Sequence, residues 1–412
     1  MSESRLHAKP YLVRSALATV EQARAAMLAA VAPLEAETVS LQQALGRTLA
    51  AAIHTARDQP PFSASQMDGY AVSAADTPGR LRVIGEAAAG RGFAGRCSPG
   101  MAVRISTGAA VPEGADAVVM QEDVKREDDV IEVPRLEKGQ HIRPRGLDFS
   151  AGSMLLEKGR GLDGVKLALA AAAGTAALSV TRRPRVAILS GGDELAEPGI
   201  EPGPFQIFDS ATHGIAALAA SWGGVPRRLR LEKDDIEAIA RAAEEGLGQS
   251  DLLVVIGGAS VGDHDHARPA LTRLGLELTV EKVAVRPGKP AWFGRSKLGP
   301  VLGLPGNPAS ALVCAHLFLR PLIQAMLGSD ASVILRRAQL KEALPANGPR
   351  EHYLRARLQA GETGELQVRA FEQQDSSLLS VFVAANALIR LLPDAPAAPA
   401  GALVDVLPLD SA

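Results

Sequence analysis

Five consecutive branched apolar residues, Leu252–Ile256, run directly into a glycine-rich segment that ends in aspartates. An unbroken apolar run of this length predicts a strand that is buried on both faces, as strands of parallel sheets are. Strand-like and helical segments alternate from Arg185 to about Leu327, which predicts βαβ units and a three-layer domain with a mostly parallel sheet. Ligands of such sheets bind just beyond the carboxyl ends of the strands. The sequence therefore predicts a ligand site at Gly257–Asp265.

The chain of 412 residues is too long for one compact core, so several domains are expected. Helices are expected within residues 14–36, at Leu41–Ala51 and within residues 151–180, where alanines and other apolar residues recur. We predict a multidomain α/β protein with a helical linker unit in residues 1–55 and 147–182, a β-rich unit in 56–146, a three-layer α/β domain in 183–330 and a C-terminal β-barrel-like unit in 331–412.

The composition excludes several classes of protein. A net charge of −2 provides no positive field to hold a nucleic acid. The two cysteines, Cys97 and Cys314, lack metal-type spacing and suit a reducing compartment. The N-terminus shows no secretory signal, and the least polar run, Leu167–Val180, is too short to cross a bilayer. We therefore expect a cytoplasmic protein that acts on small molecules, without a nucleic-acid or membrane partner.

A second predicted strand, Val186–Leu189, also ends in glycines and acids, in the segment Ser190–Glu194. Glycines let backbone N–H groups approach a phosphate, and carboxylates beside a phosphate favour magnesium. Asp209, Asp234 and Asp265 fall near loop ends of the same predicted domain. Because crowded carboxylates repel one another unless a cation binds them, the pattern indicates a phosphate and magnesium site. Helix capping remains the alternative for Asp193 and for Asp234, each taken singly.

Positive charge and stiff turns follow later in the same predicted domain. Arg286 and Lys289 lie in the segment Arg286–Pro290, whose prolines fix the backbone. The segment Gly303–Pro308 then leads into a helix, and the free N–H groups of a first helical turn attract anions. A solvated basic turn is the alternative for the first segment. Together the two segments favour a site for an oxyanion.

Short motifs in a fixed order run through nearly the whole chain. They are Met67-Asp68-Gly69-Tyr70-Ala71, Ser106-Thr107-Gly108 with Val111-Pro112, Gly192-Asp193-Glu194-Leu195 with Pro198-Gly199, Gly257–Gly262, Pro287-Gly288-Lys289-Pro290, Gly303–Pro308, Arg350 with Arg355, and Gln374 with Ser376. In this order and number they resemble the motifs of the molybdopterin molybdenumtransferases, the family related to the E domain of gephyrin.

The resemblance implies an enzyme of molybdenum cofactor biosynthesis, which inserts molybdate into adenylylated molybdopterin with release of AMP. It also implies a fold of four subdomains, with residues 183–330 as the molybdopterin-binding domain, a homodimer, and assistance by Mg²⁺. The adenylylated substrate would be handed over by a molybdopterin adenylyltransferase. Two alternatives remain: the chain is itself a molybdopterin adenylyltransferase, or it is a non-catalytic molybdopterin-binding scaffold.

The resemblance also assigns roles to individual residues. Those expected to be catalytic are Asp193, Glu194, Asp234 and Asp265, and those expected to hold Mg²⁺ are Asp193, Glu194 and Asp265, the last of which matches the family's aspartate better than Asp263. Those expected to bind molybdopterin or adenylate are Ser190, Gly192, Asp209, Gly257, Gly258, Ser260, Gly262, Pro305 and Asn307. Those expected to bind molybdate are Arg286, Lys289, Ser310, Arg350 and Ser376. The second subunit is expected to add its own copies of Asp68, Thr107 and Asp148.

The chain departs from the family's usual residues at several positions. Glycine, alanine and leucine stand where threonine, asparagine and glutamate are common, apolar residues replace two hydroxyl residues, an arginine replaces a lysine, and an aspartate replaces a glycine. The positions are, in that order, Gly191, Ala211, Leu147, Val255 and Ile256, Arg286, and Asp375. The expected acids and bases of the site are retained, so an enzyme is still expected.

Overall fold

The computed structural model of the protein describes residues 17–229, 235–257 and 266–409. The described residues fall into two compact units. Unit 1 takes its described residues from Met1–Thr38, Gly46–Ala50 and Ser179–Ala412, and unit 2 from Val39–Leu45 and Ala51–Leu178. The candidate site described below lies within unit 1.

The elements alternate along the chain much as the sequence predicts. The helices are α1 (Val20–Ala29), α2 (Gly164–Ala172), α3 (Ala211–Ser221), α4 (Ile236–Gln249), α5 (Ala267–Arg273), α6 (Pro308–Cys314), α7 (Arg320–Leu327) and α8 (Leu379–Ala384). The earlier strands are β1 (Ala36–Ser40), β2 (Ile53–His54), β3 (Ala64–Ser65), β4 (Gly69–Val72), β5 (Gly79–Ala87), β6 (Met101–Ile105), β7 (Ala117–Met120), β8 (Lys125–Glu127), β9 (Val130–Val133), β10 (Ile142–Arg143), β11 (Met154–Leu156) and β12 (Ala177–Thr181). The later strands are β13 (Arg185–Ser190), β14 (Leu195–Ala196), β15 (Ile207–Phe208), β16 (Val225–Leu229), β17 (Leu252–Ile256), β18 (Glu277–Val280), β19 (Val285–Arg286), β20 (Trp292–Arg295), β21 (Pro300–Leu304), β22 (Arg336–Leu340), β23 (Glu351–Ala360), β24 (Leu366–Ala370), β25 (Ala387–Leu391) and β26 (Leu403–Pro408).

A six-stranded sheet in the order β16-β13-β17-β21-β20-β18 forms the centre of unit 1. Strands β16, β13, β17 and β21 pair in parallel, whereas β20 and β18 add an antiparallel edge. The run Leu252–Ile256 forms β17 and is buried along its whole length, because it lies in the middle of the sheet. The predicted, mostly parallel sheet is confirmed.

Helices cover both faces of this sheet, because successive side chains of its strands point to opposite sides. Val186 and Ile188 of β13 pack in a core with α1, α3, α6 and α7. Ala187 and Leu189 pack on the other side with α4 and α5. The three-layer arrangement expected for alternating strands and helices is therefore present.

A long apolar helical segment, Pro308–Leu327, combines α6, a π-helical turn at Ala315–Leu319 and α7. Its 20 residues are apolar enough and long enough to cross a membrane, and in the described part of the chain it is the one helix with these properties. However, 78% of its most apolar window is buried within the fold. The segment thus behaves as a core helix of unit 1.

A closed β-barrel follows the α/β sheet within unit 1. Strands β23-β24-β22-β26-β25 are hydrogen-bonded in this order, and an additional pairing of β23 with β25 closes the ring. The short strand β19 pairs in parallel with the start of β23, which aligns Arg286 with His352. The predicted barrel-like unit is confirmed. Its strand β23 is also hydrogen-bonded to β19, which follows the α/β strand β18 in the chain.

Unit 2 is built around a six-stranded sheet in the order β7-β4-β6-β5-β9-β8. Tyr70, Leu81, Val119 and Ile131 are buried in a core on this sheet. Gly69 lies where β4 passes so close to β7 that a Cβ atom would come within 1.8 Å of the Val119 carbonyl oxygen. The β-rich character predicted for this part of the chain is present.

Outside the α/β domain the sequence predicts more helix than the structure contains. Leu41–Ala51 is not an α-helix: a 3-10 turn at Leu41–Gln43 ends before Gly46, whose φ of +70° belongs to the left-handed region. Leu49 instead makes a β-bridge with Val180. Long-range pairing thus overrides the local helical pattern in this segment.

The two other predicted helices are shorter than expected. The helix expected within residues 14–36 spans Val20–Ala29, after a capping box in which Thr19 accepts a hydrogen bond from the Gln22 backbone N–H. The helix expected within residues 151–180 spans Gly164–Ala172, after Asp163 as N-cap. Strands β11 and β12 occupy residues on either side of α2. Alanine-rich composition alone does not distinguish these helices from their neighbouring strands.

Candidate active site

A cavity of about 960 Å³ opens at the carboxyl edge of the parallel sheet in unit 1. Its floor follows the ends of β13, β17 and β21, and its walls come from the loops after these strands and from the barrel. The predicted site residues that line this main cavity are Ser190, Glu194, Asp209, Gly257, Arg286, Lys289, Pro305, Asn307, Ser310, Arg350 and Ser376. The structure therefore brings together most of the described residues that the sequence assigned to unit 1.

Two glycines allow the strand ends to meet. Gly257 has a φ of +82°, and its N–H donates to the Leu304 carbonyl oxygen at 3.1 Å. A Cβ atom on Gly306 would lie 3.4 Å from the Gly257 Cα atom. The left-handed backbone at Gly257 favours glycine, and the close contact keeps both turns at the cavity edge free of side chains.

One wall of the main cavity is strongly cationic. Arg286, Lys289 and Arg350 line it, and the pairing of β19 with β23 places Arg286 beside His352. Burial lowers the pKa of His352 to about 4, with further lowering by the charges of Arg286, Arg350 and Arg355. The imidazole is therefore neutral at neutral pH, and the wall offers several fixed positive charges to an anion.

The loop Gln374–Leu378, called the Ser376 loop below, provides hydroxyl groups to this wall. Asn307 donates through Nδ2 to the Ser376 Oγ atom at 2.7 Å, and the Ala309 N–H donates to the Ser376 carbonyl oxygen at 3.1 Å. These bonds tie the loop of the barrel to the start of α6, where Ser310 is buried at the cavity edge. Two serines from different parts of the chain thus line the same cavity as the cations.

Asp375, which stands where the family commonly has glycine, adds a negative charge to the same cavity. Its carboxylate accepts hydrogen bonds from the Ser377 Oγ atom at 2.6 Å and the Ser377 N–H at 2.9 Å, and these bonds lower the pKa of Asp375. The side chain is therefore ionised at neutral pH, and Asp375 lines the same cavity as the cations.

We predict that Asp375→Asn strengthens oxyanion binding. The amide oxygen can keep the bonds from Ser377, whereas the charge that repels an anion is removed. Because the carboxylate is exposed and screened, the expected decrease in the dissociation constant for a tetrahedral oxyanion is only about two- to fivefold. Titration calorimetry at low and high salt measures it. An unchanged affinity at low salt would show that this charge does not act on the bound anion.

The acidic residues take different positions around the cavity. Glu194 lines it, whereas Asp193 is exposed and does not, and Gly192 belongs to the same turn without lining the cavity. Asp209 lines the cavity, but its carboxylate already accepts from the Thr212 N–H at 3.1 Å and the Thr212 Oγ1 atom at 2.5 Å. These bonds to the first turn of α3 hold the loop before this helix in place, and they occupy the carboxylate that was expected to bind the substrate.

Several predicted residues lie outside the described ranges, namely Asp234, Gly258, Ser260, Gly262, Asp263 and Asp265. Within residues 17–229, 235–257 and 266–409, no group of three or more His, Cys, Asp or Glu side chains is arranged to hold a metal ion. The described carboxylates at the cavity are Glu194, Asp209 and Asp375. They provide oxygen ligands of the kind that Mg²⁺ prefers, although two of the three are hydrogen-bonded within the protein.

The site residues of unit 2 form their own preorganised pair. Asp68 accepts from the Thr107 N–H at 2.7 Å and from the Thr107 Oγ1 atom at 3.1 Å, and these bonds lower the pKa of Asp68. Asp148 lines a smaller cavity of about 370 Å³ together with Gly108, the residue after Thr107, and with Leu147. Thr107 thus bonds to Asp68, and its neighbour Gly108 lines the same small cavity as Asp148.

Two features of the main cavity were not predicted from the sequence: the buried His352, and a set of apolar lining residues. Leu195, Ile207, Phe208 and Leu379 form this set, and Phe208 remains 46% exposed. The short parallel pair β14–β15 holds Leu195 and Phe208 in place. Strands of two residues, such as β14 and β15, are too short to give a periodic signal, so nothing in the pattern distinguished these residues from ordinary surface residues.

The three-layer fold and the cationic cavity at its strand ends define a molybdopterin-binding type of α/β protein, and comparison with known families gives the same class. Residues 187–325 match the family model described as a probable molybdopterin binding domain. Residues 18–174 match the MoeA N-terminal region, domains I and II, and residues 337–409 match the MoeA C-terminal region, domain IV. Together the three matches follow one another along most of the described chain.

Individual relatives narrow the class to one family. A molybdopterin molybdenumtransferase from Haemophilus influenzae is 35% identical over 403 residues, which cover 95% of this chain and 98% of the relative. One from Bacillus subtilis is 34% identical over 370 residues, covering 87% and 86%. A solved MoeA structure from Pyrococcus horikoshii superposes with a TM-score of 0.84 at 30% identity, covering 96% of this chain and 100% of that one. The chain belongs to the molybdopterin molybdenumtransferase family, so the resemblance and the transferase class are confirmed.

Proposed function

We propose that the enzyme inserts molybdate into adenylylated molybdopterin and releases AMP, and that the main cavity is where this happens. The observation that carries the proposal is that Arg286, Lys289 and Arg350 line the same cavity as two serines, Ser310 and Ser376. Arginine, lysine and hydroxyl donors in this arrangement suit a tetrahedral dianion. Family membership supports the identity of that dianion as molybdate.

Charge neutralisation is the main task of these residues. Molybdate and the diphosphate linkage of the pterin substrate are both anionic, so they repel each other on approach. Fixed cations on the wall lower this repulsion and stabilise the charge that develops on the leaving AMP. His352 contributes a neutral imidazole at neutral pH, so it adds a polar group without a further charge. The two dithiolene thiols replace one oxygen of molybdate, which leaves as water. A water molecule attacks the diphosphate, and the P–O bond to AMP breaks, so that AMP leaves and the pterin keeps a phosphate monoester and the molybdenum.

A magnesium ion is part of the proposal. Glu194 lines the cavity, and Asp193 and Asp265, which lies outside the described residues, are the partners that the sequence suggests. A bound Mg²⁺ would neutralise phosphate oxygens of the diphosphate. The enzyme should therefore lose activity in excess chelator and regain it when Mg²⁺ is added back.

The test of the function uses the purified protein with adenylylated molybdopterin, molybdate and Mg²⁺. Release of AMP that requires molybdate, together with formation of molybdenum cofactor, is the expected result. Adenylylated product formed from molybdopterin, ATP and Mg²⁺ without molybdate would instead identify an adenylyltransferase. Neither reaction, with pterin binding retained, would identify a non-catalytic scaffold.

We predict that Phe208 contributes to binding of a heterocycle of the substrate. Phe208→Ala should raise KM for adenylylated molybdopterin about tenfold and leave KM for molybdate unchanged, since loss of one ring contact costs roughly 1–3 kcal/mol. Phe205 is a matched control, because it is 94% exposed and does not line the cavity. Steady-state kinetics with each substrate varied in turn measures both values. Equal effects of Phe208→Ala and Phe205→Ala would contradict the assignment.

We further propose a homodimer in the cytoplasm, in which the second subunit adds Asp68, Thr107 and Asp148 to the site. The bonds between Asp68 and Thr107 support this proposal, because they hold an ionised carboxylate in a fixed position. The substrate would be received from a molybdopterin adenylyltransferase. Mixing an Asp68→Ala protein with a Lys289→Ala protein should restore part of the activity if subunits exchange, because one mixed site would then be intact. No recovery in verified mixed dimers would contradict the shared site.

A further inference from the structure

Arg355 of β23 is 2% exposed, and among the described residues its side chain donates to an amide oxygen and a backbone carbonyl oxygen rather than to a carboxylate. Its backbone N–H and its Nε atom donate to the Gln374 Oε1 atom at 3.0 and 3.3 Å. Its Nη1 atom donates to the Leu378 carbonyl oxygen at 3.0 Å. A single arginine thus bonds to the first and the last residue of the Ser376 loop.

The Ser376 loop also donates hydrogen bonds to the backbone around Arg355. Gln374 donates through Nε2 to the Arg355 carbonyl oxygen at 2.9 Å and to the Phe371 carbonyl oxygen at 2.7 Å. The Phe371 N–H donates to the Arg355 carbonyl oxygen at 3.0 Å. Between the two anchors lie Asp375, Ser376 and Ser377, which line the main cavity. Both ends of the loop that carries Ser376 are therefore bonded to Arg355.

Burial of this guanidinium is costly, because a charge removed from water needs compensating partners. Among the described residues its Nη2 atom has no hydrogen-bond partner. Burial lowers the pKa of Arg355, while the charge of Asp375 raises it. A packed apolar side chain would fill this position at lower cost. The positive charge also reaches the cavity, since Arg355 is one of the three arginines that lower the pKa of His352.

We propose that Arg355 is a positioning residue for oxyanion binding. It holds both ends of the Ser376 loop so that the hydroxyl group faces the cations, and its charge adds to the potential of the cavity. The inference rests on the proposed function, because it takes the bound oxyanion to be molybdate. It predicts that loss of Arg355 loosens the loop and weakens molybdate binding together.

The experiment compares Arg355→Met and Arg355→Lys with the wild-type enzyme. Arg357→Met is the matched control, because Arg357 lies two residues later on the same strand, is exposed and does not line the main cavity. Hydrogen exchange of the peptide covering residues 371–378 reports on the loop without any ligand. Kinetics at varied molybdate separates KM from kcat.

We expect Arg355→Met to speed exchange in the Ser376 loop at least tenfold and to raise KM for molybdate at least tenfold, with kcat at saturating molybdate within about threefold of wild type. Arg355→Lys should give intermediate values, since it keeps the charge but cannot bond both anchors. Arg357→Met should change neither quantity. Faster exchange with an unchanged KM would overturn the inference, because Arg355 would then be merely structural.

Two further variants keep the test informative. If Arg355→Met does not fold, Gln374→Met removes the loop side of the same contacts while the core arginine stays, and it should loosen the loop and raise KM in the same way. Lys289→Ala reports on the proposed function itself. If wild-type enzyme binds no molybdate, the proposed function fails; if Lys289→Ala impairs binding and the Arg355 and Gln374 variants do not, only this inference fails.

Discussion

Lys289→Ala is expected to raise KM for molybdate about 10- to 100-fold and to leave the stability of the fold nearly unchanged. A hydrogen bond to a charged group contributes about 1.5–3 kcal/mol, and each 1.4 kcal/mol is a factor of ten in affinity. The backbone of the turn stays anchored, because the Val283 N–H donates to the Lys289 carbonyl oxygen at 3.1 Å whatever the side chain is. The side chain itself is exposed to the cavity.

Lys297→Ala is the matched control for charge. Lys297 is exposed in the same unit, but it does not line the main cavity. The Lys297→Ala substitution should lower the net charge by the same amount as Lys289→Ala without changing KM for molybdate. The difference between the two variants should shrink as salt is added, because exposed charges are screened. If both lysines gave the same effect, long-range charge rather than a specific contact would explain it.

Gly69→Ala is expected to destabilise unit 2 by about 3 kcal/mol or more. Strand β4 lies between β6 and β7, with Gly69 opposite Ile105 on one side and Met120 on the other. The new methyl group would lie 1.8 Å from the Val119 carbonyl oxygen, which is backbone and cannot move aside as a side chain can. Overpacking against well-packed groups usually costs 1–3 kcal/mol, and a backbone clash in a central strand belongs at or above the upper end.

Gly161→Ala provides the comparison, since nothing lies within 4 Å of a Cβ atom at that position of unit 2. It should be neutral or slightly stabilising because it restricts the unfolded chain. Urea denaturation combined with hydrogen exchange of peptides from β4, β6 and β7 would separate unit 2 from unit 1. Similar protection of these strands in both variants would contradict the steric argument. The glycine in the motif Met67–Ala71 would then have to be explained by ligand binding and not by packing.

The α/β sheet was predictable because its signals are local and strong. Buried parallel strands such as Leu252–Ile256 are apolar throughout, and the helices between them are long enough to show their period. The predicted helix at Leu41–Ala51 failed because Gly46 and the bridge from Leu49 to Val180 decide the conformation there. Closure of the barrel depends on the pairing of β23 with β25, which no short window of sequence encodes.

Within the site, the residues marked by unusual backbone chemistry were the easiest to predict. Glycine and proline around Lys289 and Asn307 indicated fixed turns, and both residues line the cavity. Asp209 was harder, because only the fold shows that Thr212 occupies its carboxylate. Arg355 belonged to a motif, yet its contacts with both ends of the Ser376 loop require the tertiary structure.

The parallel pairing of β19 with β23 means that the protein cannot be split at residue 330 into two independently working halves. The N-terminal fragment would keep Arg286 and Lys289, whereas Arg350 and Ser376 would leave with the other fragment. The two fragments would also divide one hydrophobic core, since Tyr353, Leu388 and Leu407 pack in the same cluster as Val186 and Leu302. If the proposed oxyanion site is correct, co-expressed halves should bind molybdate only after they associate, so a split at residue 330 could serve as the basis of a molybdate sensor.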